Sequence, residues 1–195
     1  MGKAYTQEER EELRIKIKEC GKKIFEKDGF KNFRIKELTG EVGISLGGFY
    51  TFFESKEALY REIIDDEKKR IYIKIIEWVK EDNIKPIDFF KNVAEILPEK
   101  SRKNKLYDID KDTPYSLTSE LIFDIGENNK NDNLIFINRL REIWESRNYT
   151  LRKTNEELLG ILSMLGAMSM QYNTMNSQVF ETLYREIYTF VLEQI

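Results

Sequence analysis

Any chemistry in this 195-residue chain must be done without histidine and with a single cysteine, Cys20. That removes Ser-His-Asp and Cys-His nucleophilic systems and the usual zinc sites. Cys20 itself falls on an apolar helical stripe with Leu13, Ile17 and Ile24. Carboxylates are abundant, but they lie on the solvent faces of helices, often with Lys or Arg three or four residues away. No glycine loop has phosphate-cradling spacing, and the Gly47-Gly48 pair opens no such motif. The sequence therefore predicts no catalytic residue, no metal, no cofactor and no enzyme. What remains is recognition chemistry between Arg34 and Thr51, where two short helical segments flank the turn Glu41-Val42-Gly43-Ile44-Ser45. Gly43 can take positive φ at no steric cost, Ile44 can bury against the first helix, and Ser45 can cap the second. This is the anatomy of a helix-turn-helix, although the same turn chemistry would serve a helical hairpin inside an ordinary bundle.

The elements that must position this turn are helical throughout. An apolar fraction of 41% with 34% charged residues suits amphipathic helices around a core. Thr6 with Glu9 has capping-box spacing for a first helix that Gly29 can close in the left-handed conformation. Ile35 to Glu41 and Ser45 to Phe52 form the next two, and Ser55 caps a fourth that runs to about Glu81. Pro86 opens a fifth that stops at Pro98, and Ser101 to Asp112 reads as a charged loop. A sixth starts at Thr113-Pro114 and breaks at Gly126, followed by a polar loop from Asn128 to Asn133. Helices over Leu134 to Tyr149, from the Thr154/Glu157 capping box onward, and over Gln178 to Ile195 bring the expected total to about nine. The expected fold class is all-α. A three-helix helix-turn-helix domain occupies residues 1–54 and a larger helical domain residues 55–195, with the helix over 55–81 linking them.

The net charge of −3 and pI near 5.4 argue against a protein that coats nucleic acid. From Lys3 to Lys56, however, twelve basic residues stand against ten acidic ones, a weak local bias toward phosphate. The charged amino terminus lacks the apolar core of a signal peptide, and no apolar run reaches spanning length; with one cysteine, this predicts a cytoplasmic protein.

The stretch FRIKELTGEVGISLGGFYTFFESKEALY resembles the DNA-binding segment of the TetR family of transcriptional regulators. In that family an S-x-G-x-x-Y-x-x-F recognition helix precedes an S-K-E-x-L helix start. Those elements are here Ser45, Gly47, Tyr50 and Phe53, then Ser55, Lys56, Glu57 and Leu59. The resemblance covers the first third of the chain. It implies that Tyr50 and Lys56 are phosphate clamps, and that Lys36 reaches a base edge or phosphate. It also implies that Ser45, Leu46, Gly48 and Thr51 face the major groove, where Leu46 or the Thr51 methyl meets a thymine methyl. Phe49, Phe52 and Phe53, at helical spacing, are expected to pack inward. Arg34 replaces a Thr that the family often uses on phosphate, and can serve the same end. The two adjacent glycines, Gly47 and Gly48, weaken the recognition helix and leave few donors for base reading, so DNA shape is expected to contribute to preference.

For the remaining two-thirds, helix periodicity and the resemblance together imply a homodimer through the last two helices. The helix from Thr154 is apolar on nearly every side, and the final helix presents Val179, Phe180, Leu183, Ile187, Tyr188 and Val191. A small apolar or aromatic effector is expected between the helices, with Phe90, Phe123, Trp144 and Met168 as contacts and Asn138 or Gln171 as polar anchors. The function implied is a repressor released from a palindromic DNA operator by that effector. The alternative is a helical interaction module that has lost DNA binding.

Overall fold

The computed structural model describes residues 6–103, 105–107, 127–173 and 175–195. Among them are eight α-helices: α1 (Gln7–Asn32), α2 (Ile35–Val42), α3 (Leu46–Phe49), α4 (Lys56–Glu81), α5 (Pro86–Lys103), α6 (Glu127–Glu145), α7 (Asn155–Ser169) and α8 (Ser177–Leu192). Two 3-10 turns, Lys105–Tyr107 and Met170–Asn173, complete the described elements. The helix expected from Thr113 to Gly126 lies outside the described residues. The chain folds as two compact units, Met1–Lys68 with Asn104–Thr113, and Lys69–Lys103 with Pro114–Ile195. Among the described residues no helix is long and apolar enough to cross a membrane.

Local signals set most helix ends. Thr6 caps α1, accepting from the Glu9 amide at 3.1 Å while Glu9 accepts from the Thr6 amide at 2.8 Å. Ser55 accepts from the Ala58 amide at 3.1 Å and starts α4, and Thr154 and Glu157 repeat the reciprocal box ahead of α7. The Thr154 amide also holds the Glu157 carboxyl below the usual carboxylate range.

Three expected boundaries are corrected. Gly29 has positive φ, but with ψ at 172° it is a kink rather than a left-handed terminus, and helix resumes to Asn32. The fifth helix does not stop at Pro98 but continues to Lys103, forgoing one backbone donor at the proline nitrogen. The stretch from Asn128 to Asn133 is not a loop: α6 begins at Glu127, and Asn133 is fully buried, its Oδ1 accepting from the Tyr72 hydroxyl at 2.6 Å. Polar residues read as solvent-facing loop, whereas here one of them is a core partner.

In the first unit, aromatic packing supplies the centre. Phe25 stacks on Phe33 at 4.0 Å, the Tyr60 ring meets Phe25 and Phe30 edge-on, and the Tyr60 hydroxyl donates to the Leu106 carbonyl. Gly21 lets α4 approach α1, since a Cβ there would stand 3.1 Å from Leu59 Cδ2. Arg14, Lys18 and Lys22, spaced one helical turn apart on α1, pair with Glu62, Asp66 and Glu67 on α4. Part-exposed pairs of this kind are worth little individually, roughly 0–1 kcal/mol each, and act mainly to hold the two helices in register.

The second unit is built on Val79, Phe89, Phe90, Phe136, Ile137, Leu140, Trp144, Leu151 and Leu158. Trp144 is fully buried and donates from Nε1 to the Ile84 carbonyl at 2.9 Å. The Arg147 guanidinium donates to the Val79 and Lys80 carbonyls at 2.9 and 2.7 Å, satisfying acceptors at the end of α4. A smaller cluster gathers Ala94, Leu165, Phe180 and Tyr184. The Tyr184 hydroxyl is buried with no hydrogen-bond partner among the described residues, and burial pushes its ionisation above the ordinary phenol range.

These two aromatic residues should respond in opposite directions. Trp144→Phe loses a satisfied hydrogen bond and buried area, and should lower stability by roughly 1–3 kcal/mol in urea unfolding. Tyr184→Phe removes an unpaired polar atom and should leave stability unchanged or raise it by about 1 kcal/mol. A clear destabilisation by Tyr184→Phe would mean that the hydroxyl is satisfied in solution.

Candidate nucleic-acid interface

The turn between α2 and α3 is closed by backbone chemistry that the residue types allow. Gly43 takes φ 84°, ψ 33°, and the amides of Gly43 and Ile44 both donate to the Thr39 carbonyl at 3.0 Å. Lys16 on α1 donates from Nζ to the Val42 carbonyl at 2.9 Å, satisfying another acceptor at the end of α2. Ser45 then caps α3, its Oγ accepting from the Gly48 amide at 3.0 Å. A Cβ on Gly48 would press to 3.3 Å on that capping oxygen, whereas one on Gly47 would meet nothing closer than 4.0 Å.

The helix α3 divides cleanly between inside and outside. Phe49, Phe52 and Phe53 are buried, as their spacing predicts, while Ser45, Leu46, Gly47, Tyr50 and Thr51 are exposed and Gly48 is half-buried. Leu46 and Tyr50 are each about half exposed, at 53% and 52%. The Thr51 hydroxyl donates to the Gly48 carbonyl at 2.7 Å, which turns it back on the helix. The outer surface of this element is therefore short of side-chain donors, and largely apolar.

The cations sit around it. Lys36 is exposed on α2, and Arg34 is exposed at its start, donating weakly to the Lys31 carbonyl at 3.4 Å. Lys56, in the first turn of α4, is half-buried: its Nζ donates to the Phe30 carbonyl at 3.0 Å and lies 4.0 Å from the centre of the Phe30 ring. Its charge is thus also a structural tie to the end of α1. All nine expected contact residues, Arg34, Lys36, Ser45, Leu46, Gly47, Gly48, Tyr50, Thr51 and Lys56, lie in the first unit. Sequence reasoning missed Arg10 and Arg14, whose guanidiniums bind the carbonyls of Thr51 and Phe52. Those contacts join residues about forty apart, which no local pattern reports.

Residues 19–63 match the model of the family described as bacterial regulatory proteins, tetR family. This segment of the chain is similar to the TetR family. Over 65 residues it is 34% identical to a Bacillus subtilis (strain 168) protein described as an uncharacterized HTH-type transcriptional regulator, YfiR; the match spans 33% of this chain and 32% of that protein. The chain thus spans about a third of the length of that relative. Solved structures with the same fold include a TetR-family transcriptional regulator from Pectobacterium atrosepticum, with a TM-score of 0.70 and 11% identity over 96% of this chain and 94% of that one. A TetR-family regulator from Agrobacterium tumefaciens has a TM-score of 0.57 at 13% identity, over 92% and 97% of the two chains. The reduced form of E. coli NemR has a TM-score of 0.51 at 13% identity, over 90% and 95%.

Among the described residues, those expected to bind an effector do not converge on one site. Phe90 and Trp144 are fully buried in the core of the second unit, their ring centres 6.3 Å apart. Met168 is half-buried against the smaller cluster, and Gln171 is exposed. Asn138 is exposed and tied by hydrogen bonds to Glu142 and Asn155. Phe123 lies outside the described residues. A shallow depression in the same unit is lined by Arg141, Leu151, Arg152, Lys153, Thr154, Asn155 and Glu156, and shares none of the expected contacts. Among the described residues no cluster of Cys, Asp and Glu could hold a metal ion.

The turn yields three graded outcomes in thermal or urea unfolding. Gly43→Ala should cost about 1–2 kcal/mol, because the left-handed conformation crowds a Cβ. Ser45→Ala should cost about 1 kcal/mol for the lost cap. Gly47→Ala, facing open space, should be neutral or stabilise by roughly 0.5–1 kcal/mol.

Proposed function

We propose that the chain is a DNA-binding transcriptional regulator in which Ser45 to Thr51 enters the major groove of an operator. The observation that carries this reading is the exposure of Leu46 and Tyr50 on a short helix whose other face is wholly buried, within the segment that matches the family model. A monomer gains nothing by exposing these side chains, whereas a groove floor would cover them. Leu46 and the Thr51 methyl suit thymine methyl groups. Tyr50, Arg34 and Lys36 suit the flanking phosphates, and Lys56 adds positive charge at the rim.

The reading includes a homodimer through α7 and α8. Val179, Leu183, Ile187 and Phe190 recur at spacings of four, four and three along one exposed face of α8, with Phe190 at 65% exposure, while Phe180 and Tyr184 fill the adjoining, buried face. A helix apolar on two faces needs a second cover, and a second copy supplies it symmetrically. Twofold symmetry in turn calls for a palindromic operator with half-sites about one helical turn apart. The regulatory step completing the reading is release of the repressor by a small apolar or aromatic effector in the second unit, through differential affinity for two states of the dimer.

Titration with duplex DNA at two salt concentrations tests the reading. Tyr50→Ala and Lys36→Ala should weaken binding to every sequence, and Lys36→Ala should reduce the salt slope by about one. Leu46→Ala should instead alter preference among sequences by roughly 1–3 kcal/mol at one base pair. Absence of salt-dependent binding to any duplex would favour a helical interaction module. Ile187→Glu should convert a dimer in light scattering to a monomer; a wild-type monomer at micromolar concentration would refute the assembly.

A further inference from the structure

The helix α3 is four residues long and contains two glycines, so it cannot hold its own pitch. The Gly48 and Phe49 carbonyls at its end accept from the amides of Thr51, Phe52 and Phe53, closing a turn whose own carbonyls, those of Thr51 and Phe52, face α1. Two arginines of α1, one helical turn apart, cover this end in the same way. Arg10 donates from Nη2 to the Thr51 carbonyl at 3.3 Å and lies 5.2 Å from the centre of the Phe52 ring. Arg14 donates from Nη1 to the Phe52 carbonyl at 2.6 Å and lies 4.3 Å from the centre of the Phe53 ring. The other arm of Arg14 pairs with Glu62 on α4. A four-residue step on α1 is thus matched to a one-residue step after α3, each guanidinium taking one carbonyl and the ring of the next residue.

We infer that Arg14, seconded by Arg10, is a positioning residue for DNA recognition: it sets the presentation of α3 without touching DNA itself. The inference rests on the DNA-binding reading above. Only a guanidinium fits the role, because its planar fork binds a carbonyl and a carboxylate at once while its face lies on an aromatic ring. Lysine keeps the charge but offers neither the fork nor the flat face. With its side chain only 30% exposed and its donors directed inward to Phe52 and Glu62, Arg14 is poorly placed to act as a phosphate contact.

Salt dependence separates the two roles, since a lost phosphate contact flattens the slope of log K against log salt by about 0.9, whereas a lost positioning contact leaves it in place. The probe is a duplex that the wild-type chain selects from a random-sequence pool. Arg14→Gln and Arg14→Lys should both weaken binding by roughly tenfold, as expected for loss of a preorganised surface, with the wild-type slope retained. Amide hydrogen exchange at Phe49 to Phe53 should quicken in both. If Arg14→Gln does not fold, Arg14→Lys decides alone, and Glu62→Gln, which keeps the arginine, should give a smaller loss in the same direction. Unchanged affinity in a folded Arg14→Lys variant overturns the inference while leaving DNA binding intact. A slope reduced by about one in Arg14→Gln also overturns it, in favour of direct phosphate contact. A wild-type chain that selects no duplex removes the DNA-binding reading, and this inference with it.

Discussion

A helix of four residues is the least self-sufficient helix among the described residues, and yet the surface proposed for DNA recognition depends on it. One hydrogen-bonded turn does not repay the entropy of fixing its backbone, and Gly47 and Gly48 make the deficit worse. Its existence is therefore a tertiary fact. Phe49, Phe52 and Phe53 bury one side, Ser45 closes the beginning, and guanidiniums from α1 close the end. The presented surface is consequently as rigid as the packing beneath it, and that packing belongs to α1 and α4 as much as to the helix itself.

The charges of the first unit are arranged for the same purpose. The net basic bias of this segment is small, and many of its cations are engaged within the protein. Lys16 ends α2, Lys56 ties α4 to the Phe30 carbonyl, and Arg14, Lys18 and Lys22 align α1 with α4. A count of basic residues thus overstates what is offered to phosphate. Under the DNA-binding proposal, the shortage of polar groups on the outer face of α3 favours methyl contacts and the shape and deformability of the duplex over a dense hydrogen-bond code.

The second unit shows why aromatic content is a poor guide to a ligand site. Phe89, Phe90 and Trp144 are large enough to fill the space between helices on their own, and the Trp144 indole is already satisfied by the Ile84 carbonyl. Large rings in a helical layer are first of all core, and whether they also line a cavity is decided by how closely the neighbouring helices approach. The apolar face that does stand out is on α8, where Val179, Leu183, Ile187 and Phe190 stay uncovered beside the buried Phe180 and Tyr184.

Local chemistry was legible in the sequence. The two capping boxes, the Ser45 and Ser55 caps, the positive φ of Gly43 and the inward aromatic triplet all follow from residue type within a few positions, because caps and turns close over three or four residues. The all-helical class followed from apolar periodicity, and the likeness to the TetR family from spaced residues in one continuous stretch. Tertiary structure alone decided what depends on distant neighbours. It carried α5 through Pro98, drew Asn133 into a helix against Tyr72, tied Lys56 to Phe30, and placed Arg10 and Arg14 at the end of α3. Each outcome compares a local preference with a contact made across twenty-six or more residues, or with the packing of a whole helix. Periodicity along the chain has no access to that comparison.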